Sequence, residues 1–216
     1  MSAADQVAEG ARGVVQKVSY LWAPRAASWL RKQWVILRNP QATIRFEGPV
    51  YLGPGFSLHM PDGGTFVVGP GVEFRRGFRA DMGGNARITI GAGCTIDRDP
   101  VFACHTSIEI GERCSIGHCA YVVDGNHRFR DLDRPMLAQG YDYTPIVIED
   151  DVQIASKVTV INRIGTRAIV EPNTVVTKPI PAFTVAGGVP ARVRDYFGPP
   201  GGEPEDWEGT ASRSSR

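Results

Sequence analysis

Aliphatic residues recur every six positions through the middle of this chain, and that count constrains the fold more than any other feature. Ile90 and Ile96 begin one run, continued by Phe102 and Ile108. Ile110, Ile116 and Val122 form a second, Ile148, Ile154 and Val160 a third, and Ile164, Val170 and Val176 a fourth. The next position is often small or acidic, as at Gly91, Asp97, Gly117, Glu149, Ala155 and Glu171; the position four after the aliphatic is small or β-branched, as at Cys94, Cys114, Ala120, Val152, Ala168 and Thr174. An amphipathic helix repeats every 3.6 residues and a half-buried strand every two, so neither gives this pattern. A chain that turns a corner every six residues does. The aliphatic points inward from a short strand and the small residue fits the corner. Three such steps close a triangular coil, and stacked coils pile like positions into columns. The fold class is therefore all-β, a parallel β-helix over about residues 44–178.

A chain of 216 residues holds one such domain plus arms. Its 25 Gly and 16 Pro are spread through the middle, which suits many tight turns. A formal net charge of +1 leaves no electrostatic footprint for nucleic acid as a partner. Residues 1–13 are polar and do not read as a secretory leader, and no stretch approaches the ~20 apolar residues of a membrane span. The cysteines Cys94, Cys104, Cys114 and Cys119 lack CxxC spacing, so the expectation is a cytoplasmic protein with free thiols. Cys94 and Cys114 fall on the small corner position and read as buried hydrophobes.

The count fails in three places. Phe102 to Ile110 is eight residues, Val160 to Ile164 is four, and Val122 to Ile148 is twenty-six, one step plus a loop of twenty. Loops of that length inside compact domains are usually functional. This one, at about 123–146, carries Asp124, His127 and the pair Gln139-Gly140. The ends follow other rules. Residues 1–43 read as an amphipathic helical arm. Val14, Val18 and Leu21 lie on one face, Pro24 breaks the chain, and Ala26, Leu30, Trp34 and Leu37 form a second face with Arg25, Arg31, Lys32 and Arg38 around it. Such an arm packs on its own protein or a sister subunit, or lies on the inner face of a membrane. Residues 179–197 read as a cap segment and 198–216 as a disordered tail.

The hexapeptide runs, the segment Asp124-Gly-Asn-His127, the pair Gln139-Gly140 and the closing VVTKPIPAFTVAGGVPARV together resemble the hexapeptide-repeat O-acetyltransferases, of the sugar and capsule or colanic-acid type and their galactoside, maltose and xenobiotic relatives. The resemblance covers about residues 44–193. It implies a left-handed β-helix, a homotrimer with active sites between neighbouring subunits, acetyl-CoA as acyl donor, no metal, and a sugar, glycan or glycoside hydroxyl as acceptor.

Acyl transfer to an alcohol needs a base, and imidazole, with an ordinary pKa of ~6.5, is largely neutral near pH 7. His127 matches the family's loop histidine, which implies that it deprotonates the acceptor. Asp124 either orients that imidazole or simply forms the Asp-Gly turn. Backbone N–H groups near Ala155 and Ser156 are the implied oxyanion donors. This chain has Gln153-Ile154-Ala155 where most relatives have Trp-Ile-Gly. Thr177, Lys178 and Arg192 match residues on the family's coenzyme side. Asn162 and Arg163 replace its usual Pro-Gly there. Two other readings use the same β-helix: a non-catalytic scaffold subunit, and a zinc enzyme of the γ-carbonic-anhydrase type. The latter needs three converging histidines, whereas His105, His118 and His127 are thirteen and nine apart.

Overall fold

The computed structural model describes residues 23–204. The expected helical face at Val14, Val18 and Leu21 lies outside the described residues, as does the end of the tail. One helix, Ala23–Arg38, precedes a stack of short strands in three parallel sheets. Each sheet is one wall of the coil, and its register displays the columns. On the first wall Phe46, Val68, Ile90, Ile110 and Ile148 lie in line, continued by single bridges at Ile164 and Ile180. The second wall stacks Leu52, Phe74, Ile96, Ile116, Ile154, Val170 and Ala186. On the third are Leu58, Ala80, Phe102, Val122, Val160 and Val176. The expected parallel β-helix is present, and its parallel pairing runs past Lys178 to Ala186 before Arg192–Tyr196 folds back antiparallel.

The failures of the six-residue count are changes in perimeter. Successive column partners are twenty-two residues apart at Val68–Ile90, twenty at Ile90–Ile110 and sixteen at Ile148–Ile164. Wide coils have four-residue strands that turn two side chains inward, as Ile108 and Ile110 do. After the deletion the first wall is reduced to one inward residue, Ile164. The filling follows the perimeter. Phe56, Phe66, Phe74, Phe78 and Phe102 form one packed aromatic cluster in the wide coils, with Met60 and Met82. Past Phe102 the buried core among the described residues is Ile, Val, Ala, Cys and Thr, save the Asp124 carboxylate. Interiors are close-packed, so a narrowing coil needs smaller side chains.

The corners are tight. Arg113, Cys119, Asp151, Lys157, Arg167 and Asn173 all adopt a left-handed backbone (φ 54–59°). They sit three residues after an inward aliphatic, one position before the small residue. Cys94 and Cys114 occupy that small position and are fully buried, as expected. All four cysteines are free, and Cys119 is exposed on its turn.

Candidate active site

The twenty-residue interruption is a hairpin. Gly125–His127 pairs antiparallel with Tyr141–Tyr143, with Gly125 opposite Tyr143, Asn126 opposite Asp142 and His127 opposite Tyr141. Gly125 lets the strands approach closely: a Cβ there would come 3.0 Å from the Tyr143 ring, so the ring would have to shift. Hydrogen bonds close the tip. The Gln139 amide accepts the Asp131 N–H (3.0 Å) and donates to the carbonyls of Asp131 (2.8 Å) and Arg134 (2.9 Å). Gly140 turns with φ 79°, and Arg128 reaches across to Asp142 at 2.6 Å. Polar side chains therefore order this segment where an apolar core is lacking. Phe129, Leu132 and Leu137 remain exposed on it.

His127 is exposed at the loop end of the paired strands, its ring 4.3 Å from that of Tyr141. It opens on a cavity of about 370 Å³ shared with Arg128, Arg130, Arg134, Gln139 and Asp142. Asp124 faces elsewhere. Its side chain has no solvent access and lies against the preceding coil. There it accepts the N–H of His105 (2.9 Å), the N–H of Thr106 (2.6 Å) and the Thr106 hydroxyl (2.8 Å). The imidazole beside it is His105, whose Nδ1 lies 3.7 Å from Oδ1. Asp124 and His127 are thus three residues apart in sequence but serve different contacts. Asp124 pins the root of the hairpin to the coil below.

His105 entered the sequence analysis only as a candidate zinc ligand, and Tyr141 and Tyr143 did not enter it. The three rings are nearly parallel, with centroids 5.3–6.1 Å apart. His105 lies over Gly83 of the next coil, where a Cβ would meet its ring at 3.0 Å. Together with His127 they make an exposed aromatic wall along one side of the hairpin. The available signal was the Tyr-Asp-Tyr alternation, which puts both tyrosines on one face of a strand. His118 sits on an outer corner with Nδ1 against the Arg98 carbonyl (3.1 Å) and Nε2 3.4 Å from the Cys119 thiol. Among the described residues, no group of three His, Cys, Asp or Glu is placed to hold a metal ion.

The residues expected on the coenzyme side divide into two groups. Lys178 and Arg192 line a groove of about 770 Å³ at the last coil, with Ile180, Phe183 and Tyr196. Residues 199–204, expected in the tail, turn back along this groove, and Tyr196 Oη donates to the Pro199 carbonyl at 2.8 Å. Asn162 and Arg163 form the shortened corner instead. Asn162 donates to the Thr177 carbonyl (3.2 Å) and accepts the Arg163 N–H (2.9 Å). The Arg163 guanidinium pairs with Glu149, which also accepts the N–H (2.8 Å) and hydroxyl (2.6 Å) of Thr166. The Thr166 and Arg163 hydrogen bonds hold the Glu149 carboxyl down at about 2. The Ala155 N–H is used within the stack on the Val170 carbonyl (2.9 Å), which leaves Ser156 as the open donor of that pair. The Arg75, Arg76 and Arg79 cluster is matched by Asp97, Asp99 and Asp81 at 2.9–3.3 Å, consistent with a solvated edge.

No protein-family model matches the chain. A probable acetyltransferase of Mycobacterium tuberculosis is 30% identical over 174 residues, covering 76% of this chain and 56% of the relative. The chain thus spans little more than half of that relative's length. A 52-residue stretch, 23% of this chain and 22% of the relative, is 42% identical to a tetrahydropyridine-dicarboxylate N-acetyltransferase of Staphylococcus aureus. Among solved structures, a hexapeptide-repeat acetyltransferase of Vibrio cholerae in complex with acetyl coenzyme A superposes with a TM-score of 0.56 at 22% identity, over 92% of this chain and 91% of that one. The polySia-specific acetyltransferase NeuO gives 0.52 at 16% identity, over 72% and 83%. These likenesses establish the hexapeptide-repeat β-helix fold.

Proposed function

We propose that this chain is a hexapeptide-repeat acetyltransferase that moves an acetyl group from acetyl-CoA to a hydroxyl of a sugar, glycan or glycoside. One observation carries the reading. The coil count has a single long interruption, and it delivers an exposed histidine on a hydrogen-bonded hairpin. The 30%-identical relative named a probable acetyltransferase supports the same reading.

His127 is the general base. Its ring nitrogen takes the acceptor hydroxyl proton as the oxygen attacks the thioester carbonyl. The tetrahedral oxyanion collapses, the C–S bond breaks, and the imidazolium returns its proton to the departing thiolate. A positioned base of this kind typically contributes ~10²–10⁴-fold. The Ser156 N–H is the candidate oxyanion donor. Acetyl-CoA supplies the thioester when bound. The groove at Lys178 and Arg192 fits it: two cations suit its phosphates, and Ile180 and Phe183 offer an apolar floor. Asn162, Arg163 and Thr177 shape the corner leading there.

The cavity lined by His127 and the groove lined by Lys178 share no residue. That separation is consistent with a site completed between subunits, one subunit's hairpin meeting the next subunit's coenzyme groove, as in the homotrimer that the resemblance implies. The test is a thiol-release assay with acetyl-CoA against sugar nucleotides, oligosaccharides and lipid-linked sugars. Wild-type protein should release CoA thiol with at least one acceptor, and His127→Ala should lose that activity by about a hundredfold or more. Full activity in His127→Ala would overturn the base assignment, and no acetyl-CoA binding by calorimetry would leave the scaffold reading in its place.

A further inference from the structure

The helix Ala23–Arg38 turns its polar side toward the protein. Ser28 and Val35 are buried against the first coil. Ser28 Oγ accepts the Leu52 N–H, and Arg31 donates to the Leu52 carbonyl, both at 2.8 Å. Tyr51–Leu52 is the edge strand of its sheet, so the helix satisfies polar groups that would otherwise end the stack unpaired. The apolar face anticipated from the sequence therefore points away from the coils. Trp29 and Leu30 are 60% exposed, Trp34 58% and Leu37 71%. At 3.6 residues per turn, Leu30, Trp34 and Leu37 lie on the stripe opposite Ser28 and Val35, with Trp29 at its margin. Arg38 borders the stripe, its guanidinium 5.7 Å from the Trp34 ring centroid, and Arg25 is exposed beyond Trp29; Arg31 and Lys32 turn toward the coils, Lys32 over the Phe46 ring. The helix carries no acidic residue.

We propose that this face lies on a membrane surface containing anionic lipid. Own-chain packing is already served by the opposite side of the helix. A two-fold contact between copies through this face would set like cations against like. A bilayer surface answers both features at once: tryptophan suits the headgroup boundary, and the exposed Arg25 and Arg38 suit its negative charge. A cavity of about 370 Å³ between helix and coils adjoins the face, sharing Trp29 with it. Arg25 and Lys32 line it as candidate phosphate contacts, with Glu73 as its acidic member. Among the described residues no helix is long and apolar enough to cross a membrane. This inference does not depend on acetyl transfer.

Flotation of the full chain with phosphatidylglycerol–phosphatidylcholine vesicles tests it, with phosphatidylcholine alone as control. Wild-type protein should float with the anionic vesicles, more weakly as salt rises, and not with the control. Joint replacement Trp29→Ser, Leu30→Ser, Trp34→Ser and Leu37→Ser should weaken partition about tenfold or more with an unchanged melting temperature. The charge reversal Arg25→Glu with Arg38→Glu should do the same, and it decides the matter if the serine variant fails to fold. Failure of wild-type protein to float with anionic vesicles would overturn the proposal, as would equal flotation of the charge-reversed protein. A wild type that stays off vesicles while the serine variant falls in molecular mass would assign the face to a second copy instead.

Discussion

The carboxylate of Asp124 is a buried acceptor surrounded by donors, and what it holds is the take-off point of the hairpin. Removing it leaves the N–H groups of His105 and Thr106 without their acceptor, at about 1–3 kcal/mol for each group left unsatisfied. Asp124→Ala should therefore destabilise the protein by about 3 kcal/mol or more by urea unfolding. Asp124→Asn should cost less, since one oxygen remains. An Asp124→Ala protein as stable as wild type would show that the carboxylate does not pin the root. The cysteines give a second residue-scale expectation. Burial, with Asp124 nearby, pushes the Cys104 thiol up to about 12, and the hydrogen bond with Cys94, together with burial, pushes the Cys114 thiol up as well. The Cys94 side chain is itself buried, and only Cys119 is exposed. A thiol reagent at pH 8 should modify one cysteine quickly in native protein and the other three only on unfolding. Rapid modification of more than one would contradict the packed corners.

At the scale of elements, the shortened corner has a pH signature. Hydrogen bonds from Thr166 and Arg163 depress the Glu149 carboxyl from 4.5 to about 2 in the folded protein. A depressed folded pKa means that the unfolded chain binds the proton more readily, so the stabilisation is present above the unfolded value. It is lost as pH falls through 4.5 toward about 2. The stability gap between wild type and Glu149→Gln should thus be largest above pH ~5 and shrink steadily on acidification, as read by urea unfolding at each pH. A gap independent of pH would mean that the carboxylate charge is not what the corner uses. Elements were legible in the sequence to the degree that their period was six. From Ile90 onward the inward aliphatics declared the columns. Earlier coils run twenty-two residues and turn two side chains inward per four-residue strand, which hides the count between Phe46 and Val68. His127 was legible because it sits where the count breaks. The His105–Asp124 contact was not, because it joins residues nineteen apart through stacking of coils. The outward turn of Trp34 and Leu37 was also hidden: a helical stripe shows that a face exists but not which way it points.

For the whole molecule, coil perimeter and core change together along one axis. The wide end carries the phenylalanine cluster and is closed by the helix, while the narrow end carries the groove of Lys178 and Arg192. Phe78 contacts Phe56, Phe74 and Phe102, so Phe78→Ala should cost about 3–5 kcal/mol by denaturant unfolding. The hairpin with His127 leaves the coils between the two ends, in a cavity separate from the groove. If the site is built between subunits, light scattering should give about 70 kDa, three times the 23.5 kDa chain. Complementation gives the sharper test. One preparation carries His127→Ala, and the other carries Lys178→Ala with Arg192→Ala; each should be nearly inactive at acetyl-CoA concentrations below the wild-type KM. Unfolding and reassembling them in equal amounts pairs an intact hairpin with an intact groove at about a quarter of the interfaces in a cyclic assembly. Activity should return to that fraction of wild type. A site contained within a single chain would recover nothing, because every chain in the mixture carries one of the two defects.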